Sequence, residues 1–95
     1  MSREAAELLS CAQVILKQRG EQYGDADRLF RNVAVRFGLV LGQPVTPYMA
    51  ARLRAELKSA RLDEADEFNE DSILDLINYA ALAGVLHHGK KEEKS

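Results

Sequence analysis

A lone cysteine, Cys11, has no internal partner for a disulfide, so nothing covalent staples the fold and a reducing compartment is expected. Charge of one sign is also missing. Net charge is −2 with acids and bases interspersed, whereas a general nucleic-acid binder needs a basic excess to neutralise phosphates. No apolar stretch reaches the ~18 residues of a membrane span, and the N-terminus lacks the basic-then-apolar order of a signal peptide. The chain is therefore expected in the cytoplasm and off the membrane. Internal repeats, low-complexity tracts, splitting linkers and convincing strand alternation are absent too, which leaves helices as the material of the fold.

What is present is the composition of an ordinary globular domain, 46% hydrophobic and 29% charged. Its 95 residues allow one domain, which buries only roughly 60–65% of the unfolded surface. A core that thin makes association between copies an expectation from the start. A single all-α domain is expected over residues 1–89. The closing "KKEEKS" (residues 90–95) has no apolar anchor and is expected as a disordered charged tail.

Four helical segments carry the domain. The first spans about Arg3 to Arg19, with Ser2 as N-cap and Gly20 as stop; Ala5, Leu8, Leu9, Ala12, Ile15 and Leu16 share one face. The second follows the capping residue Asp25, and its stripe of Leu29, Phe30, Val33, Ala34, Phe37 and Leu41 ends at Gly42. Val35 and Leu39 lie opposite and suggest a second packing surface. "VTPYM" opens the third, since Thr46 is a good N-cap and Pro47 suits the first helical position. Met49, Leu53, Leu57 and Ala60 make its apolar face. The fourth runs from about Glu70 to His87 before Gly89 and is apolar around almost its whole circumference. Such a helix belongs in the centre of a bundle or in a subunit interface.

On that fourth helix Asp71, Asp75 and Asn78 share one narrow polar stripe, at about 100° per residue. Charges in so apolar a setting need cations or water. Asp71 suits the first turn, where a carboxylate favours the helix dipole. Asp75 lies too deep for a cap and reads either as the partner of an arginine or as part of a metal or phosphate site. One short loop earlier, Arg54, Lys58 and Arg61 follow at i, i+4, i+7 along one edge of the third helix. They fit a solvated basic face, an Asp–Arg ion network, or a pair, Lys58 and Arg61, that grips a phosphate.

In "RGEQYGD" (Arg19 to Asp25), turn and cap chemistry explain Gly24 and Asp25. Arg19 and Tyr23 are left over, and could contact and stack on a ligand. His87 and His88 read as dipole partners at a helix end, and Glu4 and Glu7 as a solvated face. Cys11 has no sequence neighbour to make it a nucleophile.

"RGEQYGD", "VTPYMAARLRAELKSAR" and "DSILDLINYAAL", in that order over Arg19 to Leu82, resemble a small phage and prophage family. More widely they resemble the MazG-like all-α nucleotide pyrophosphatases. The resemblance implies an oligomeric helical bundle in the cytoplasm of a phage-infected or lysogenic bacterial host. It also implies acidic residues that hold Mg²⁺ and cleave nucleoside triphosphates between the α and β phosphates. The wider group's pattern is ExxE on one helix, then ExxD with an apolar run and an aromatic. Asp75 and Tyr79 match the second motif, whose Glu falls on Ser72, with Asp71 one place earlier as a substitute. In place of ExxE stands Lys58-x-x-Arg61, with Glu56 the only acid nearby. Two carboxylates cannot assemble a two-metal site alone, whereas a basic pair holds phosphate directly. That departure moves weight from hydrolysis toward nucleotide binding.

The expectation is a compact MazG-like bundle of about four helices, completed by oligomerisation, that binds a nucleotide with Mg²⁺ and, in one version, hydrolyses it. Asp71 and Asp75 are the expected catalytic carboxylates and, with Glu56, the Mg²⁺ ligands. Lys58, Arg61, Arg19, Tyr23 and Asn78 are the expected phosphate and substrate contacts. Two alternatives stand beside it. One is a non-catalytic oligomeric binder or inhibitor that sequesters a nucleotide signal or a host protein. The other is a structural remnant whose Asp–Arg network only fixes helix register.

Overall fold

A computed structural model of the chain describes residues 3–23 and 25–94, with side chains for 4–21 and 25–87. Four helices follow one another: α1 (Arg3–Tyr23), α2 (Ala26–Leu41), α3 (Pro47–Glu64) and α4 (Glu70–Lys94). No strand occurs among the described residues. The helix starts follow local chemistry. Asp25 accepts from the Asp27 N–H at 3.0 Å, Thr46 from the Met49 N–H at 3.1 Å, and Asn69 from the Ser72 N–H at 3.1 Å. Helix α2 stops at Gly42, whose φ of 73° is one that a side chain resists, and the N–H groups of Gly42 and Gln43 both return to the Gly38 carbonyl. Gly38 permits this fold-back, since a Cβ there would lie 3.0 Å from the Gln43 carbonyl oxygen.

Two helices end later than the sequence suggests. Helix α1 continues through Gly20 to Tyr23, and α4 through Gly89 to Lys94. A glycine that keeps helical φ weakens a helix by about 1 kcal/mol relative to alanine but does not end it. Among the described residues only Gly42 has a positive φ. Residues 90–94, expected as a tail, are lysines and glutamates, which are good helix formers. Ser2, Gly24 and Ser95 lie outside the described residues, and Tyr23 and His88 outside the described side chains.

Helices α3 and α4 form the main pair; α2 packs on α3 and α1 on α4, while α1 and α2 scarcely touch. The core joins Phe30 and Ala34 of α2, Ala50 and Ala51 of α3, and Ala83 and Leu86 of α4. Alanines let helix axes approach closely, and this reverses the expected face of α3. Met49, Leu53, Leu57 and Ala60 are exposed, whereas Ala50, Ala51, Ala55 and Lys58 are buried. Helix α4 packs against both α1 and α3, yet it is not enclosed. Leu74, Ala83 and Leu86 are buried, Ile73 and Ile77 half-buried, and Ala80, Ala81 and Val85 exposed. Val35 and Leu39 on α2 are also exposed, opposite the core as their spacing implied.

Candidate functional site

Asp75 ties three helices together. Its Oδ1 lies 3.0 Å from Arg19 Nη1 on α1, and its Oδ2 lies 3.0 Å from Lys58 Nζ on α3. The Asp75 and Lys58 side chains are 13% and 11% exposed, while Arg19 is 47% exposed. Two desolvated opposite charges thus satisfy one another, and a second cation reaches in from the surface to the remaining oxygen. Three residues along α4, Asn78 is buried and donates from Nδ2 to the Ala12 carbonyl at 3.0 Å, fastening α1 onto α4. The polar stripe of α4 therefore faces protein neighbours at both Asp75 and Asn78.

Of the residues expected at the site, Asp75, Lys58 and Arg19 come together. Arg61 does not join them: it is exposed and makes no ion pair among the described residues. Its expected place beside Asp75 is filled by Arg19, which arrives from the far end of α1. Asp71 and Glu56 are exposed as well, Glu56 because it projects from a different side of α3 than Lys58. Among the described residues no three His, Cys, Asp or Glu side chains come together. Mg²⁺ requires an octahedral shell of oxygens. With Asp75 held between two cations, Asp71, Asp75 and Glu56 as placed do not fit it.

Because α1 and α2 scarcely touch, a cleft of about 630 Å³ opens between them over α3 and α4. Phe30 and Tyr79 meet there edge to face, with ring centroids 6.1 Å apart. Leu16, Val33, Phe37 and Leu82 add aliphatic and aromatic wall. Among the described residues the charged lining is Arg19, Arg36 and Arg54, with no aspartate or glutamate. Arg54 is fixed in place: its Nη2 donates to the Tyr79 hydroxyl at 3.2 Å, and its guanidinium carbon sits 5.4 Å from the centroid of that ring. Arg36 is exposed and makes no ion pair among the described residues. Arg19 engages Asp75 through one nitrogen, which leaves other N–H groups of its fork for a ligand.

This arrangement suits a molecule with a flat apolar part and an anionic appendage, because guanidinium forks match phosphate oxygens in pairs. Sequence reasoning placed Arg54 on a basic edge and passed over Arg36. The available signal was its position beside Phe37 and three residues after Val33, on the border of the apolar stripe of α2.

A family model described as a domain of unknown function, DUF6378, matches residues 7–87. No curated protein and no solved structure matches the chain. The family match covers most of the chain, including the ion triad and the cleft; the chain belongs to the DUF6378 family.

Proposed function

We propose that this DUF6378 protein binds a nucleotide, or another small molecule joining phosphate to a flat ring, in the arginine-lined cleft, and does so without hydrolysing it. One observation carries the reading: a chain of net charge −2 gathers three arginines and, among the described residues, no carboxylate around a cavity floored by aromatic rings. The volume lies within the roughly 300–1,000 Å³ of small-molecule sites. Phe37 and Tyr79, half-buried in the cleft wall, offer ring surface to a base, and Arg36, with the free N–H groups of Arg19 and Arg54, offers donors to phosphate.

The likeness to the MazG-like pyrophosphatases supports nucleoside phosphates as the ligand class. Hydrolysis in that group's manner needs carboxylates gathered around Mg²⁺, whereas Asp75 here is committed to Lys58 and Arg19. A non-catalytic oligomeric binder, sequestering a nucleotide in a phage-infected or lysogenic cell, is the form this reading takes.

Calorimetric and thermal-shift titrations with ATP, AMP, adenosine and pyrophosphate, each with Mg²⁺ and with EDTA, test it. Nucleoside phosphates are expected to bind under both conditions and to weaken as salt rises. Failure of all four to bind removes the proposal. Binding that requires Mg²⁺ and releases pyrophosphate removes its non-catalytic form.

A further inference from the structure

Helix α3 has two apolar sides, and only one of them is used within the chain. Ala50, Ala51 and Ala55 are buried, whereas Met49, Leu53, Leu57 and Ala60 form a stripe about 16 Å long on the other side. The three large members leave 42%, 44% and 43% of their surface in water. We propose that this stripe pairs with the same stripe of a second copy, antiparallel about a two-fold axis.

Charge argues for that occupant. Arg52, Glu56 and Asp63 stand along one border of the stripe. In an antiparallel two-fold pair, each border meets its own copy in reverse order. With the axis near the middle of the stripe, Arg52 of each copy lies opposite Glu56 of the other. Arg52 is already oriented along this border: its Nη1 donates to the Tyr48 hydroxyl at 2.9 Å, and its guanidinium carbon lies 5.8 Å from the centroid of that ring.

The same criterion rejects the competing surface. Val35 and Leu39 are exposed on α2, but Arg28, Arg31 and Arg36 surround them. Only Asp27, 2.7 Å from Arg31, offsets that charge, so two copies meeting there would press like charges together.

Core size points the same way. Among the described residues, Phe30 and Leu86 are the only large members of a buried cluster otherwise made of alanines. A chain of 95 residues with so little sealed inside gains most from covering a contiguous apolar stripe. The pairing does not depend on the ligand, because the residue that α3 sends to the cleft, Arg54, lies roughly 100° around the helix from Leu53.

Sedimentation equilibrium on the full chain tests the interface, with circular dichroism as the check on folding. Wild type is expected as a dimer, Leu53→Glu as a helical monomer, and Leu39→Glu as a dimer. Arg52→Glu and Glu56→Arg, each alone, should raise the dissociation constant about tenfold, and the two together should restore most of the loss. These reversals do not touch the core, so they decide the matter even if Leu53→Glu unfolds. A monomeric wild type at about 100 μM overturns the inference, since a dimer with a dissociation constant below roughly 50 μM is substantially populated at that concentration. A dimer that withstands the α3 variants but is lost in Leu39→Glu overturns it as well.

Discussion

Lys58 Nζ and Asp75 Oδ2 stand 3.0 Å apart, with both side chains almost removed from water. Removing one member strands the other charge in the helix interface, which typically costs about 3–5 kcal/mol. The Asp75 side chain keeps 13% of its surface exposed and also pairs with half-exposed Arg19, so the lower end of that range applies. Asp75→Asn is expected to lower stability by about 3 kcal/mol, or on the order of 15 °C in melting temperature for a domain of this size. Arg19→Ala, at the half-exposed end of the triad, should cost less than about 1 kcal/mol. Replacing both partners, Lys58→Met with Asp75→Leu, should recover most of the loss, since the one charge left without its partner, Arg19, is half-exposed and solvated. Urea unfolding of the three variants measures this directly. An Asp75→Asn protein as stable as wild type would mean that the pair contributes nothing to holding α3 and α4 together.

Asn78 provides a second, independent fastening, from α4 to the Ala12 carbonyl on α1. Asn78→Ala removes a second donor from a mid-helix carbonyl that keeps its own backbone donor four residues on, so the loss is one net hydrogen bond, about 0.5–1.5 kcal/mol. Because α1 packs mainly on α4, the loss should appear there first. Hydrogen exchange is expected to accelerate around Ala12 while α3 keeps its protection. Uniform acceleration across all four helices would argue against a local role.

The helices and their starts were legible in the sequence because Asp25, Thr46 and Pro47 act on backbone groups within three residues of themselves. Glycine misled at Gly20 and Gly89: it ends a helix only where the chain leaves in a left-handed conformation, as at Gly42. Asp75 was legible as a charge that needs a cation. Its partner Arg19 was not, since spacing favoured Arg61 across the short loop and only the packing of α1 on α4 brings Arg19 near. The face of α3 was misread for a different reason. Hydrophobicity weights Met49, Leu53 and Leu57, but close helix packing selects the smaller Ala50, Ala51 and Ala55. The cleft is a gap between helices that scarcely touch, so no local pattern could announce it.

The cap at the end of α2 gives a third test. Gly42→Ala forces a Cβ into a φ of 73°, and Gly38→Ala sets a Cβ 3.0 Å from the Gln43 carbonyl oxygen. The first should cost about 1–2 kcal/mol. Gly38→Ala adds helix propensity, but the backbone carbonyl it meets must move aside, so a net loss is expected there too. Gly20→Ala, which meets nothing within 4 Å and keeps helical φ, should instead stabilise by up to about 1 kcal/mol. Thermal melts of the three variants check the signs.

Arg36 and Arg61 separate the two places where a phosphate could be held. Both are exposed arginines, so replacing either should change stability by less than about 0.5 kcal/mol. Only Arg36 lines the cleft. A charge-assisted hydrogen bond to phosphate contributes about 1.5–3 kcal/mol, so Arg36→Ala should weaken nucleotide binding roughly tenfold to a hundredfold. Arg36→Lys should recover part of that, because an ammonium keeps the charge but not the paired N–H geometry. Arg61→Ala should bind as wild type does. Calorimetric titration of the three variants with one nucleoside phosphate reads this out, with melting temperatures confirming that each is folded. Were Arg61→Ala to lose the ligand while Arg36→Ala kept it, the phosphate would belong at the loop between α3 and α4, and the arginine cleft would lose its role.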